Sequence, residues 1–152
     1  MIEDFTNQPE ENQQDIKYFE QRLKRGESIF LEMDMYHYLV EHYQGMEDFD
    51  KALTVCKIAI EQHPFSIQPL LDQAHMYAEL GKIEAAFTSI KKAESLSPND
   101  SETLTVKAWI LQDAGKSREA IKVYRQTMPF TDTPIENLYQ IAMLHRELSE
   151  FK

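Results

Sequence analysis

Ala52, Ala86 and Ala120 stand 34 residues apart, and whole columns of similar residues keep step with them. Val40, Ala74, Ala108 and Ala142 form one column, and Tyr36, Leu70, Leu104 and Leu138 form another. Tyr43, Tyr77 and Leu111 form a third that breaks at His145. Ala59 and Ala93 continue to Thr127, and Pro64 and Pro98 continue to Asp132. Phe49, Ile83 and Phe151 match, with Ser117 breaking the set. Such a period removes the need for one central core, because each copy is a small unit that buries its face on its neighbours. Its length and pattern read as an array of helical hairpins.

Each column has a physical reason. Ala52, Ala86 and Ala120 are small where the two antiparallel helices of one hairpin approach closely, with Val40, Ala74, Ala108 and Ala142 on the other side of that contact. Ala59 and Ala93 are small where a second helix meets the next copy, and the Tyr and Leu columns fill the space between, as dense packing requires. Pro64 and Pro98 end the second helices, which a proline cannot continue.

In these residues the chain resembles the tetratricopeptide repeat family. The first copy carries Tyr36, Leu39, Val40, Tyr43, Ala52, Ala59 and Pro64; the second Leu70, Ala74, Tyr77, Gly81, Ala86, Ala93 and Pro98; the third Leu104, Ala108, Leu111, Gly115 and Ala120. The match covers roughly residues 33–152. It implies an all-α, right-handed α-α superhelix (a solenoid) of helical hairpins, three repeats plus a partial fourth, with an extra N-terminal helix. Two departures stand out. The column Leu39, Gln73, Lys107, Ile141 is usually apolar in the family, so its polar members are where packing should depart from the pattern. The third copy ends Met128-Pro129 without the usual alanine and proline, so its last helix should stop early.

Residues 1–32 comprise a loose start, to about residue 9, and a capping helix at 11–25 with the stripe Ile16, Phe19, Leu23 and Gly26 just past its end. Ser28-Ile29-Phe30-Leu31 reads as a connection packed along the first hairpin. The array occupies 33–152, with repeats at 33–66, 67–100 and 101–134 and a partial copy at 135–152. Helices are expected at 33–45, 49–62, 67–80, 83–96, 101–114, 117–128 and 134–149. Thr133 with Glu136 has the form of a capping box, and Pro134 suits a first helical position. Gly81 and Gly115 permit tight turns; Gly45 comes two residues early, which predicts a different first turn. The last helix carries Ile135, Leu138, Tyr139, Ile141, Met143, Leu144 and Leu148, too apolar for a terminal cap. The expectation is a longer array, or an end covered by another subunit through Leu144 and Leu148.

Lys plus Arg is 16 and Asp plus Glu is 26, a net charge of −10. Such a chain repels nucleic acid and anionic membrane, so neither is expected as a partner. The single cysteine, Cys56, forms no internal disulfide and falls on the core side of a helix. The start has no signal-peptide pattern and no stretch approaches membrane-span length, which reads as cytoplasmic.

The resemblance places the first helix of each hairpin on a concave groove. Helical spacing puts His37, Tyr38, Glu41, Leu71, Asp72 and His75 there, with Thr105, Val106, Trp109, Tyr139, Gln140 and Met143. The sharpest ladder is Glu41, His75, Trp109, Met143, and it holds the only tryptophan. Trp109 reads either as an anchor for an apolar partner side chain or as a stiffener packed on Met143 or His75. A second ladder, Glu79, Asp113, Glu147, is acidic, with Asp34, Glu102 and Glu136 adding acid at the other end of these helices. Lys57, Lys91 and Arg125 form a basic ladder on the outer helices. This segregation either selects a basic or amphipathic segment or is ordinary charge patterning on two solvated faces.

Chaperone-binding members of the family hold a C-terminal carboxylate with Lys, Asn and Arg, whereas the corresponding surface here offers His37, Glu41, Asp72 and His75 and would repel one. Those four residues also raise a divalent-metal reading, unsupported by any HExxH pattern or cysteine pair. Four glycines form no phosphate loop, no nucleophile elbow is present, and His42, His63 and His145 have no evident catalytic partner. The reading is a non-catalytic scaffold without a cofactor or metal that binds a protein or peptide partner. Its anchors are Trp109, Tyr139, Met143 and Leu71, and Glu79, Asp113, Asp72 and Glu41 select charge. The alternative is a structural or oligomerisation module that self-associates through the C-terminal helix.

Overall fold

A computed structural model describes residues 8–150. Among them are eight helices and no strand: α1 (Gln8–Arg25), α2 (Met33–Gly45), α3 (Phe49–Gln62), α4 (Gln68–Glu79), α5 (Ile83–Leu96), α6 (Ser101–Asp113), α7 (Ser117–Thr127) and α8 (Pro134–Glu150). Every expected helix is present. The N-terminal one begins at Gln8, and the expected loose start falls mostly outside the described residues, as does Phe151. The chain divides between Pro64 and Phe65 into two units.

In the first unit, α2 and α3 form a hairpin in which Ala52 and Ala59 are fully buried and Val40 nearly so. Cys56 is also buried. Helix α1 packs on α2. The fully buried Phe19 meets Tyr43 at 5.8 Å between ring centroids, while Leu23 from the expected stripe is exposed. The Tyr43 hydroxyl donates to the Glu20 carboxylate (3.1 Å), which also holds the Lys51 ammonium at 3.3 Å. Burial, then the Glu20 charge, pushes the Tyr43 hydroxyl well above the usual tyrosine range. The connection before α2 packs along the hairpin as expected. Ile29 and Leu31 are buried, and the Gln62 side chain bridges their backbone. Its amide donates to the Ile29 carbonyl (2.6 Å) and its oxygen accepts from the Leu31 N–H (2.8 Å).

The first turn corrects a sequence expectation. Gly45 lies inside α2, yet the turn has the same form as the later ones. Glu47 stands at the register place of Gly81 and Gly115 and adopts φ 57°, beside their 72° and 74°. The N–H groups of Asp48, Lys82 and Lys116 then donate to the carbonyls of Tyr43, Tyr77 and Leu111 in turn. The backbone geometry of the repeat thus overrides the preference for glycine at this place.

In the second unit, α4 pairs with α5, α6 pairs with α7, and α8 packs on α7. Ala74, Ala86, Ala93, Ala108 and Ala120 are all fully buried. Leu104, Leu111, Ile121, Tyr124, Ile141 and Leu144 build one continuous cluster around α7. The polar column members keep their places by pairing. Gln73 is 8% exposed and its carbonyl oxygen accepts from the Ser89 hydroxyl at 2.8 Å. The Lys107 ammonium reaches the Glu94 carboxylate at 2.7 Å. Helix α7 is short, as the missing alanine and proline predict. Thr127, at the alanine place, is buried with its hydroxyl donating to the Val123 carbonyl at 2.8 Å. Ahead of α8, the Thr133 hydroxyl lies 3.2 Å from that of Thr131.

The end of α8 departs from the reading. Leu144 is fully buried and Leu148 packs against the α7 cluster, so neither forms an open array end. The open apolar surface is instead Ile135 (79% exposed) and Leu138 (53%), with Ala142 also exposed. Leu138 and Ala142 occupy the register places that in α4 and α6 face the second helix of the same hairpin. No such helix follows α8 among the described residues.

Candidate partner-binding groove

The candidate residues fall on first helices in both units. On α2, His37 and Glu41 are exposed and Tyr38 is half-buried, stacked on His42 at 6.1 Å. In the second unit, α4 and α6 lie side by side. His75 and Trp109 meet there, their rings stacked face to face with centroids 4.2 Å apart and planes within 1°. The stiffening contact of Trp109 is therefore with His75. The indole is only half-buried, so the same ring also presents surface to solvent.

Carboxylates surround this stack. Glu79 and Asp113 are exposed at one end of α4 and α6. At the other end Asp72 accepts from the Gln68 amide at 3.1 Å. Burial raises the Glu102 carboxyl above the usual carboxylate range, and the nearby Asp100 and Asp72 charges add to the shift. Tyr139 is 62% exposed on α8 and Met143 is half-buried. Leu71 is a correction: at 2% exposure it belongs to the core and offers no surface for an anchor. Among the described residues no three His, Cys, Asp or Glu side chains converge as a metal would require. No described helix is long and apolar enough to cross a membrane.

The backbones of α6 and α8 do not meet, and the space between them is a pocket of about 290 Å³. His75, Thr105, Val106, Trp109, Tyr124, Glu136, Asn137 and Gln140 line it. Tyr124 is buried, and its hydroxyl donates to Gln112 at 3.3 Å. Sequence reasoning named the Trp109 wall of this pocket but missed Tyr124 and Asn137. Asn137 occupies the register place of Pro69 and Thr103, both buried, and that alignment was the available signal. A larger hollow of about 490 Å³ lies on the second-helix side, lined by Lys91, Lys122, Glu84 and Glu119 among others. Its mixed charges favour no one ligand sign.

Residues 67–100 match the sequence model of the family described as Tetratricopeptide repeat. The solved structure of TTC0263, a thermophilic TPR protein of Thermus thermophilus, superposes with a TM-score of 0.69 at 16% identity, over 88% of this chain and 72% of that one. Residues 67–100 are thus a tetratricopeptide repeat, and the chain has the fold of tetratricopeptide-repeat structures. The first TPR of Spaghetti (RPAP3), solved bound to the HSP90 peptide SRMEEVD, gives a TM-score of 0.65 at 16% identity, over 72% of this chain and 89% of that one. At such identity the two structures speak to the fold. Protein CTR9 homolog of Arabidopsis thaliana is 32% identical over 97 residues, which is 61% of this chain and 9% of that protein. The chain thus spans less than a tenth of that relative's length.

A surface of this composition offers an aromatic platform, a half-buried methionine, an exposed tyrosine, and carboxylates. Those groups suit contact with apolar and cationic side chains, since the ring face and the carboxylates both attract positive charge.

Proposed function

We propose that the protein is a non-catalytic interaction module that holds a basic or amphipathic segment of a partner protein against the first helices of its hairpins. The observation that carries this reading is the half-exposed His75–Trp109 stack set among Asp72, Glu79, Glu102 and Asp113. Stacking fixes the ring before the partner arrives, so little ordering cost remains on binding. The carboxylates raise the encounter rate of a cationic segment and disfavour an acidic one. The HSP90 peptide bound by the Spaghetti domain is itself acidic, and this groove has the wrong sign for such a ligand. Trp109, Tyr139 and Met143 serve as anchors in this reading, and His37, Tyr38 and Glu41 are a separate candidate surface on α2 of the first unit. A partner pull-down compares the intact protein with Trp109→Ala and with the pair Glu79→Lys, Asp113→Lys. Capture should fall with both; capture unchanged by both contradicts the reading.

A second reading is favoured by one observation, the open face of α8 formed by Ile135, Leu138 and Ala142. It is self-association through that face. Light scattering at high concentration tests it: a mass above that of the 17.8 kDa chain that Leu138→Asp abolishes supports it, and a clean monomer contradicts it.

A further inference from the structure

Asn137 is 3% exposed, and its Nδ2 is the one buried side-chain nitrogen or oxygen without a hydrogen-bond partner among the described residues. The repeat register explains why. In the preceding copy the same place holds Thr103, whose hydroxyl donates to the Asp100 carboxylate at 2.7 Å. The register place of Asp100 is taken in the last copy by Pro134, which has no side-chain acceptor. A buried amide in this condition is unusual in a folded protein and calls for a partner from outside. Asn137 lines the pocket between α6 and α8, and because its Nδ2 is itself closed to solvent, a turn of the side chain must bring the amide to a partner seated there.

The pocket limits what the partner is. At about 290 Å³ it sits just under the roughly 300 Å³ at which small-molecule sites begin, so one side chain fits better than a whole cofactor. Val106 and the Trp109 ring give an apolar wall, Glu136 gives a carboxylate, and no Lys or Arg lines the space. An acidic ligand would meet Glu136. The acceptor for the amide is therefore a neutral one, and the carbonyl of a peptide backbone supplies it.

We propose that this pocket is a subsite for an extended stretch of a partner chain. The Asn137 amide donates to a main-chain carbonyl, and a lysine or arginine side chain of the same stretch lies along Trp109 and Val106 with its cation at Glu136. This rests on the groove reading above and narrows it to one place and one side-chain class.

The test is amide-resolved NMR of the full chain, titrated with capped peptides of one neutral host sequence whose central residue is Lys, Leu or Glu. The Lys peptide should shift the indole N–H of Trp109 and the side-chain amide of Asn137, the Leu peptide should bind severalfold more weakly, and the Glu peptide should shift neither. Asn137→Ala should weaken the Lys peptide about tenfold, the worth of one hydrogen bond. Glu136→Gln should remove the preference for Lys over Leu. Thermal melts check the fold, and Asn137→Val, which keeps most of the bulk, must show the same loss. Trp109 shifts that persist unweakened in both Asn137 variants overturn the subsite and leave the groove reading standing. So do Asn137 resonances that stay still in the unaltered protein, as they would if water alone satisfied the amide. No Trp109 shift with any peptide overturns the subsite and counts against the groove itself.

Discussion

The Gln73–Ser89 pair lets the repeat logic be tested in numbers. Both side chains are nearly closed to solvent, and the 2.8 Å bond between them is the main polar contact in that layer of the hairpin. The first hairpin holds Leu39 and Val55 at the same register places, both buried. Between these two hairpins an apolar pair is thus exchanged for a polar one, whereas the third sets Lys107, paired with Glu94, beside Val123. Ser89→Val alone leaves the Gln73 oxygen buried without a donor, at a cost of about 1–3 kcal/mol. Gln73→Leu alone costs less, because the Ser89 hydroxyl also reaches the Ala85 carbonyl at 3.3 Å. Gln73→Leu with Ser89→Val recreates the first hairpin's pairing and should return to within about 1 kcal/mol of the unaltered protein. Denaturant melts of the four proteins give the coupling energy, expected at about 1–2 kcal/mol and favouring matched pairs. Additive single effects would refute the claim that these two places are filled as a pair.

Gly81→Ala forces a side chain into a positive φ and should cost about 1 kcal/mol, a fall in Tm of about 2–4 °C. Gly45→Ala, inside α2 with open space around it, should instead stabilise by about 0.5 kcal/mol. Glu102 holds its proton more tightly when folded, so its favourable contribution exists at acid pH and is lost as pH rises through the carboxylate range. Glu102→Gln should therefore raise Tm at neutral pH, with the gain vanishing in acid. Tyr43 is likewise held protonated by the fold, so stability should fall above about pH 10 as unfolded tyrosine ionises, and Tyr43→Phe should blunt that fall.

The fold was legible because close helix contacts admit only small side chains. The columns through Ala52, Ala86 and Ala120 therefore record the hairpins directly, and their burial follows. The His75–Trp109 encounter was legible as a ladder of the same period, although its face-to-face geometry was not. Glu47 was hidden because a backbone fixed by packing on both sides tolerates a residue that local preference disfavours. Leu71 and Leu144 were misplaced because helical spacing gives a face, and neighbouring helices decide which part of it stays open. Asn137 was missed because an amide shows its lack of a partner only when the residue opposite, here Pro134, is read in register with it.

The central claim is that a fixed aromatic platform in an acidic surround selects cationic segments. Trp109 is the only tryptophan, so its fluorescence reports on that platform alone. The decisive measurement titrates the protein with a basic amphipathic peptide and with its charge-reversed counterpart, at low and at high salt. A saturable change with the basic peptide only, weakening as salt rises, is the predicted result. Equal binding of the two peptides, or binding indifferent to salt, would contradict it.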